Sequence, residues 1–239
     1  MKEQLEYREF AKYYDFIYAK ENTKKEVDLI KKLIKKYKKS SGNTLLDVGC
    51  GTGRHLVYLK KDFKCTGVDL NKEILKIARK KVRGVAYRQA DMTKLNLGRK
   101  FDIIITLFSA IGYVRTLKNL KKTINGFSRH LKKGGIVIIE PWYTKSRFIK
   151  GKVTFRLYEG NGIKIARLML SDRKNSLSWF DEHTLIWEKG KGVRYLRGRD
   201  CLGLFEIKDT LRIMKNAKLK AFYIKNTPRG RGLYVGIKE

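Results

Sequence analysis

At 239 residues, 42% of them hydrophobic, the chain is long enough to bury one sizeable core, or a core with a subdomain. Its 56 Lys and Arg against 23 Asp and Glu give a formal charge of +33, a field that attracts polyanions and keeps nucleic acid open as a partner. No apolar run approaches the ~20 residues of a transmembrane helix, and Met1-Lys2-Glu3-Gln4 does not begin a signal peptide, so the expectation is a cytoplasmic protein with no membrane role.

Residues 1–43 read as a helical cap. The aromatic cluster Tyr13-Tyr14-Asp15-Phe16-Ile17-Tyr18 precedes a second helix, capped near Asn22 or Thr23, that carries its buried stripe on Leu29, Ile30, Leu33, Ile34 and Tyr37. Next, Leu45-Leu46-Asp47-Val48-Gly49-Cys50-Gly51-Thr52-Gly53 leads into His55 to Leu59 in helical rhythm, which predicts strand, tight turn and helix. Glycines at such a turn let the backbone approach a ligand, and the first helical amides stay free to bind it. The third glycine of G-x-G-x-x-G and the Lys-Ser/Thr of a P-loop are both missing, which disfavours a pyrophosphate cradle.

A second strand, Phe63 to Leu70, ends in Asp69, about 20 residues after Gly49, the offset at which a carboxylate meets ribose hydroxyls in nucleotide-binding α/β folds. Asn71 caps the helix of Ile74, Leu75, Ile77 and Ala78, and a third strand, Val85 to Gln89, leads to Ala90-Asp91-Met92. Phe101 to Leu107 is a fourth strand, 117–131 a helix, and Gly134-Gly135 open a fifth strand, Ile136 to Glu140. Alone, each strand-end acid is equally a helix cap or turn residue. Together they form a constellation, and the alternation predicts an α/β, Rossmann-like, doubly wound and mostly parallel sheet. Gly49, Asp69, Asp91, Phe108 and Glu140 then lie along its carboxyl edge, where ligands bind.

From Trp142 to Asp200 the rhythm changes to strand-like segments, 153–158, 163–170, 178–187 and 192–198, with Gly160-Asn161-Gly162 and Gly190-Lys191-Gly192 as turns. This predicts an inserted antiparallel β arm, 142–200, in a core of 44–141 and 201–239. A helix over 206–216 and strands over 219–225 and 233–237 complete the chain. The intervening Pro228-Arg229-Gly230-Arg231-Gly232 is either a turn presenting two guanidinium groups to phosphate or a plain basic hairpin. Cys50, Cys65 and Cys201 lack metal-ligand spacing and predict buried thiols, with no disulfide framework and no metal site. The lysine pairs fall mostly on polar helix faces and are read as solvating unless a nucleic acid claims them.

Asp47-x-Gly49-x-Gly51-x-Gly53 resembles motif I of the class I S-adenosylmethionine (SAM) methyltransferases. Over nearly the whole chain, Tyr14-Asp15-x-Ile17-Tyr18, the 45–56 segment, Asp91-Met92, Leu97 to Asp102, Phe108-Ser109-Ala110-Ile111-Gly112-Tyr113, Gly134-Gly135 to Glu140-Pro141-Trp142 and Arg231 to Gly236 resemble the nucleotide-linked amino-sugar N,N-dimethyltransferases of the desosamine and mycaminose pathways. The resemblance implies SAM as cofactor, held by Tyr14, Asp47, Gly49, Cys50, Gly51, Gly53, Asp69, Leu70, Asp91, Met92, Leu107 and Phe108. It implies N-methylation of a small amine such as a nucleotide-linked amino sugar. Trp142, Tyr143, Arg229 and Arg231 are the expected substrate-binding residues, and Tyr14, Tyr113 and Glu140 the expected catalytic groups. The charge departs from what a small diphosphate requires, so an RNA methyltransferase and a non-catalytic SAM-binding or nucleic-acid-binding protein stand as alternatives, and a homodimer stays open.

Overall fold

Successive side chains of a strand point to opposite faces, and in the central strands of this chain both sets are apolar. The computed structural model describes residues 10–239, so the helical expectation over residues 1–9 lies outside the described residues. Strands β1 (Thr44–Val48), β2 (Lys64–Asp69), β3 (Ala86–Gln89), β4 (Phe101–Thr106), β5 (Leu131–Ile139), β10 (Leu219–Ile224) and β11 (Leu233–Lys238) form one sheet in the order β10-β11-β5-β4-β1-β2-β3. All neighbouring pairs are parallel except those made by β11. Leu45, Ile103, Ile105, Ile136 and Ile138 bury on one face against helices α2 (Thr23–Tyr37), α3 (Leu56–Leu59) and α4 (Lys72–Lys81). Leu46, Ile104, Val137 and Ile139 bury on the other against α5 (Leu117–His130) and α6 (Ile207–Asn216).

Local signals set the element ends. Asn22 accepts from Lys25 N at 2.9 Å and Asn71 from Glu73 N and Ile74 N at 2.8 and 3.1 Å, so both expected caps form. The fifth strand starts earlier than the glycine pair suggested. Leu131 already pairs with Phe101, and residues 132–135 bulge out before Ile136 meets Ile103. Gly134 O receives the amides of Lys39 and Ser40, which ties this bulge to the chain leaving α2. Strand order reverses between β1 and β4, and their carboxyl ends diverge into a crevice.

A second sheet, β6 (Val153–Gly160), β7 (Ile163–Lys174), β8 (Leu177–Glu188) and β9 (Gly192–Gly203), is an antiparallel meander. Its strands run longer than the sequence pattern implied, and β9 continues past Asp200 to Gly203 because its pairing with β8 holds to Leu177. Its inner face packs Ile165 and Ile186 against Tyr13 and Ile17, the latter in the short helix α1 (Tyr14–Ile17). Among the described residues no helix is long and apolar enough to cross a membrane.

The end of the sheet opposite the crevice is stapled by Asp102. Its Oδ2 accepts from Thr44 N at 3.1 Å, Thr44 Oγ1 at 2.6 Å and Lys132 Nζ at 2.9 Å, joining the starts of β1, β4 and β5. Burial alone would raise its pKa, but the bonds from Lys132 and Thr44 outweigh it and hold the carboxyl well below the usual range. A depressed folded pKa gives stability that is fully present above the unfolded value, near 3.9, and lost progressively as pH falls from there through the lower folded value. Asp102→Ala should destabilise the fold by about 3 kcal/mol, with ligand affinity of the folded protein unchanged. Denaturant unfolding at neutral pH and below pH ~4 checks this, the mutant deficit shrinking in acid.

Candidate active site

The turn after β1 is fixed before any ligand arrives. Gly49 N and Cys50 N both donate to Val68 O, at 2.8 and 3.0 Å, and Gly51 N donates to Asp69 Oδ2 at 2.9 Å. Gly51 has φ +54°, and a Cβ built there would meet nothing within 4 Å, so bare backbone faces open room. Asp69 Oδ1 accepts from Asn71 N at 2.9 Å. Burial pushes the Asp69 carboxyl up, partly offset by the Asn71 and Gly51 amides. A carboxylate has about four acceptor positions, so both oxygens keep capacity for hydroxyl donors. Farther along the edge, Asp91 Oδ1 caps the Met92–Lys94 turn through Thr93 N at 2.8 Å, and Met92 is half-buried beside it.

Beside the turn is a cavity lined by Tyr14, Asp47, Cys50, Leu107 and Phe108, all expected there, and by Thr23, Arg54 and Arg229, which were not expected in it. Asp47 is 1% exposed, and among the described residues its Oδ2 has no hydrogen-bond partner. Burial pushes its pKa up to about 7, with nearby Asp69 adding to the rise and His55 opposing it. Arg54 anchors Nη2 on Thr23 Oγ1 at 2.8 Å, while its buried Nη1 has no partner among the described residues. An unsatisfied buried charge is costly. Two of opposite sign on one cavity match the ammonium and carboxylate of an amino-acid group, and the open cradle at Gly51 with Asp69 beyond it matches a nucleoside. The residues present therefore fit SAM. A signal for Arg54 was available in the sequence: a cation just ahead of a helix N-terminus opposes the macrodipole and needs an anionic partner.

The roof is aromatic. Tyr14 and Tyr18 pack at 4.7 Å between centroids, and both stand edge-on to Phe108, at 6.2 and 5.0 Å. Phe108 and Ser109 follow β4 with φ of 54° and 61°, a left-handed pair that costs about 1–3 kcal/mol per residue. Glu140 offsets this cost by accepting from Phe108 N at 2.6 Å, and Ser109 Oγ donates to Pro141 O at 2.8 Å.

Several expectations change. Glu140 is not a free substrate-side group, since its other oxygen accepts from Arg231 Nη2 and Nε at 3.1 and 3.3 Å. The Thr227–Gly232 turn does not present its arginines outward, because buried carboxylates draw them in. Arg229 lies 3.0 Å from Glu21 and 2.7 Å from Glu26, with its guanidinium 4.2 Å from the centre of the Phe108 ring. Arg231 lies over Trp142 and Tyr143, at 5.5 and 5.9 Å, and Trp142 Nε1 reaches Ser178 of the arm at 3.1 Å. Leu70 is 65% exposed, because only the side chain preceding it turns inward at the end of β2. Tyr113, 42% exposed, lies outside the Asp47 cavity and bonds Asp200 of the arm. Burial pushes Asp200 up to about 6, Glu182 adding to it and Tyr113 and Arg167 opposing. His55 also lines the Asp47 cavity, with Nε2 3.1 Å from Glu26 Oε2.

A family described as methyltransferase domain matches residues 45–135. A dTDP-3-amino-3,4,6-trideoxy-alpha-D-glucopyranose N,N-dimethyltransferase of Streptomyces venezuelae is 35% identical over 196 residues, covering 82% of this chain and 83% of the relative. The crystal structure of Streptomyces venezuelae DesVI superposes with a TM-score of 0.90 at 32% identity, over 96% of this chain and 98% of that one. The SAM-bound structure of CalS10, an amino pentose methyltransferase from Micromonospora echinaspora, superposes at 0.84 with 28% identity, over 92% and 93% of the two chains.

The Asp47 geometry gives a test with a defined sign. A carboxyl with pKa about 7 when folded and near 3.9 when unfolded keeps its proton longer in the native state, so stability falls as pH rises from about 4 to about 7. Asp47→Asn should raise the melting temperature of the ligand-free protein at about pH 8 and flatten that decline. The same substitution should weaken SAM binding by about tenfold or more. Thermal melts across pH and calorimetric titration measure the two opposite effects.

Proposed function

The chain belongs to the family of SAM-dependent sugar N-methyltransferases, and from that premise we propose that it methylates the amino group of a nucleotide-linked amino sugar. The observation that carries this reading is the pair of buried charged atoms without a hydrogen-bond partner among the described residues, Asp47 Oδ2 and Arg54 Nη1, on a cavity roofed by Tyr14, Tyr18 and Phe108, with the arm standing beside it.

The cofactor supplies, when bound, a methyl group activated by a sulfonium charge. Asp47 and Arg54 hold its amino-acid end, Gly51 and Asp69 its ribose, and Asp91 with Met92 its base. Tyr14, Tyr18 and Phe108 exclude water above the reacting centre, where their electron-rich faces also suit a cation. Fixing a neutral amine at near-attack distance is the main requirement, worth up to ~7–11 kcal/mol in well-oriented systems. The amine must shed a proton to attack, and in this reading Asp200, bonded to Tyr113 on the arm, is the candidate acceptor. Trp142 and Tyr143 take the sugar face, and Arg231 the phosphate. In this reading the cap, the core and the arm act as one catalytic unit in the cytoplasm.

The assembly we propose is a homodimer through the arm's outer face. Cross-strand register places Val153, Phe155, Leu157, Leu168, Leu170, Leu185, Trp187, Val193 and Tyr195 on that face, all exposed. Their exposed surface sums to roughly 900 Å², the scale of the ~800 Å² each partner buries in a stable interface. We read the basic charge as spread over the described surface rather than gathered into one nucleic-acid face. Exposed Lys32, Lys35 and Lys76 lie on helices of one layer, while Lys118, Lys121 and Lys122 lie on the opposite layer.

Incubation with SAM and a thymidine-diphosphate amino sugar should yield mono- and dimethylated product by mass spectrometry, whereas a structured RNA should gain no methyl group. Methylated RNA with an unmodified sugar would reverse the assignment. Leu185→Asp should give a folded monomer by analytical ultracentrifugation, and a monomeric wild-type protein would remove the dimer.

A further inference from the structure

Arg229 and Arg231 sit two residues apart on one loop but meet different surroundings, Arg229 on the Asp47 cavity and Arg231 on the aromatic pair Trp142 and Tyr143. Arg229 lies on the donor side, with Nη1 3.0 Å from Glu21 of the cap, Nε 2.7 Å from Glu26 of α2, and its guanidinium over the face of Phe108. Arg231 lies on the acceptor side, over Trp142 and Tyr143. Between them is Glu140 Oε1, 3.1 Å from Arg231 and 3.9 Å from Arg229. The other oxygen of Glu140 holds the amide of Phe108, the residue that roofs the donor cavity. One buried carboxylate therefore lies between two cations, one on the donor cavity and one on the aromatic pair Trp142 and Tyr143.

We propose that Glu140 couples the donor cavity to the acceptor side, so that a diphosphate engaging Arg231 tightens the cap over the donor. The proposal rests on the nucleotide-sugar reading above. A diphosphate that engages Arg231 withdraws the nearer cation from Glu140. A buried carboxylate cannot stay unpaired at low cost, and the remaining cation within reach is Arg229. Closing the 3.9 Å gap draws the guanidinium toward Glu140 while Glu21 and Glu26 stay paired to it. The cap and the Phe108 ring are thereby pressed onto the cofactor. The sign is positive and, by linkage, reciprocal. Arg229 is thus a positioning residue rather than a phosphate ligand, which accounts for its three carboxylate neighbours.

Gly232 keeps the loop in this geometry. It has φ +80°, and a Cβ there would stand 2.1 Å from Tyr223 Oη, which donates to Arg231 O at 2.8 Å. The Arg231 carbonyl is thus held to β10, and Arg147 Nη2 donates to Gly230 O between the two arginines at 2.8 Å, so the guanidinium groups are the parts left to move.

The test is calorimetric titration of S-adenosylhomocysteine with and without saturating thymidine diphosphate, and the reverse. The expected result is a gain of about fivefold or more in each affinity, equal in the two directions. Glu140→Gln keeps an acceptor for Phe108 N but removes the shared charge; both ligands should bind and the coupling factor should fall to near one. Arg229→Lys, which keeps the charge but loses the flat contact with Phe108, should reduce the factor without abolishing diphosphate binding. Two ligands that bind independently in the wild-type protein, or a coupling factor unchanged in Glu140→Gln, overturn the proposal while leaving the substrate reading intact. Failure of thymidine diphosphate to bind at all overturns the substrate reading, and the coupling with it.

Discussion

Charge buried without a protein partner is the constraint on which the site depends. Asp47 stands near the end of a strand packed on both faces, 1% exposed, and among the described residues its Oδ2 has no hydrogen-bond partner. The fold keeps it there at a cost in stability that rises with pH, and a ligand bearing a positive group offsets that cost. Arg54 is the opposite case in the same cavity: a guanidinium half-satisfied by the cap and half unsatisfied. Binding and folding are therefore in tension at the carboxyl edge and in agreement elsewhere in the sheet.

The cap relieves part of that tension and carries it to other elements. Asp15 of α1 bonds Thr52 in the glycine turn at 2.7 Å and Lys81 at the end of α4 at 2.7 Å. Next to it, Tyr13 donates to Glu188 of the arm at 2.8 Å, while Tyr14 and Tyr18 face Phe108. A four-residue helix thus touches the cofactor turn, the roof and the arm at once. So short a helix is not stable alone. Its order comes from these contacts, which makes it an element through which cofactor and acceptor sides can sense each other. Arg167 supports it from the arm, buried, 2.5 Å from Glu182 and within 3.4 Å of Tyr18 Oη.

Much of the frame was legible before any coordinates. The helix caps at Asn22 and Asn71, the order of strands and helices through the core, the glycine turn and Asp69 behind it all follow from local pattern, because each is fixed by neighbours in sequence. The arm was legible as alternating strands and turns, though not its length, because ladder pairing with a neighbouring strand extends each edge beyond its own alternation. The turn holding Arg229 and Arg231 reads in sequence as either a phosphate-binding turn or a plain basic hairpin, because its local sequence shows no carboxylate; the three glutamates that pair with them come from distant parts of the chain.

Sequence alone determined that this chain builds a doubly wound α/β core with a nucleoside-sized cradle after its first strand, since hydrophobic period, glycine spacing and strand-end acids are all short-range properties. Tertiary structure decided which of the named groups are available for chemistry. Glu140 is engaged on both oxygens, Leu70 turns to solvent, Tyr113 joins the arm, and Arg54 enters the cavity. The reason is physical: a side chain's charge and reach are written at its own position, but whether it is paired, buried or free depends on residues that only the packed fold brings within a few ångströms.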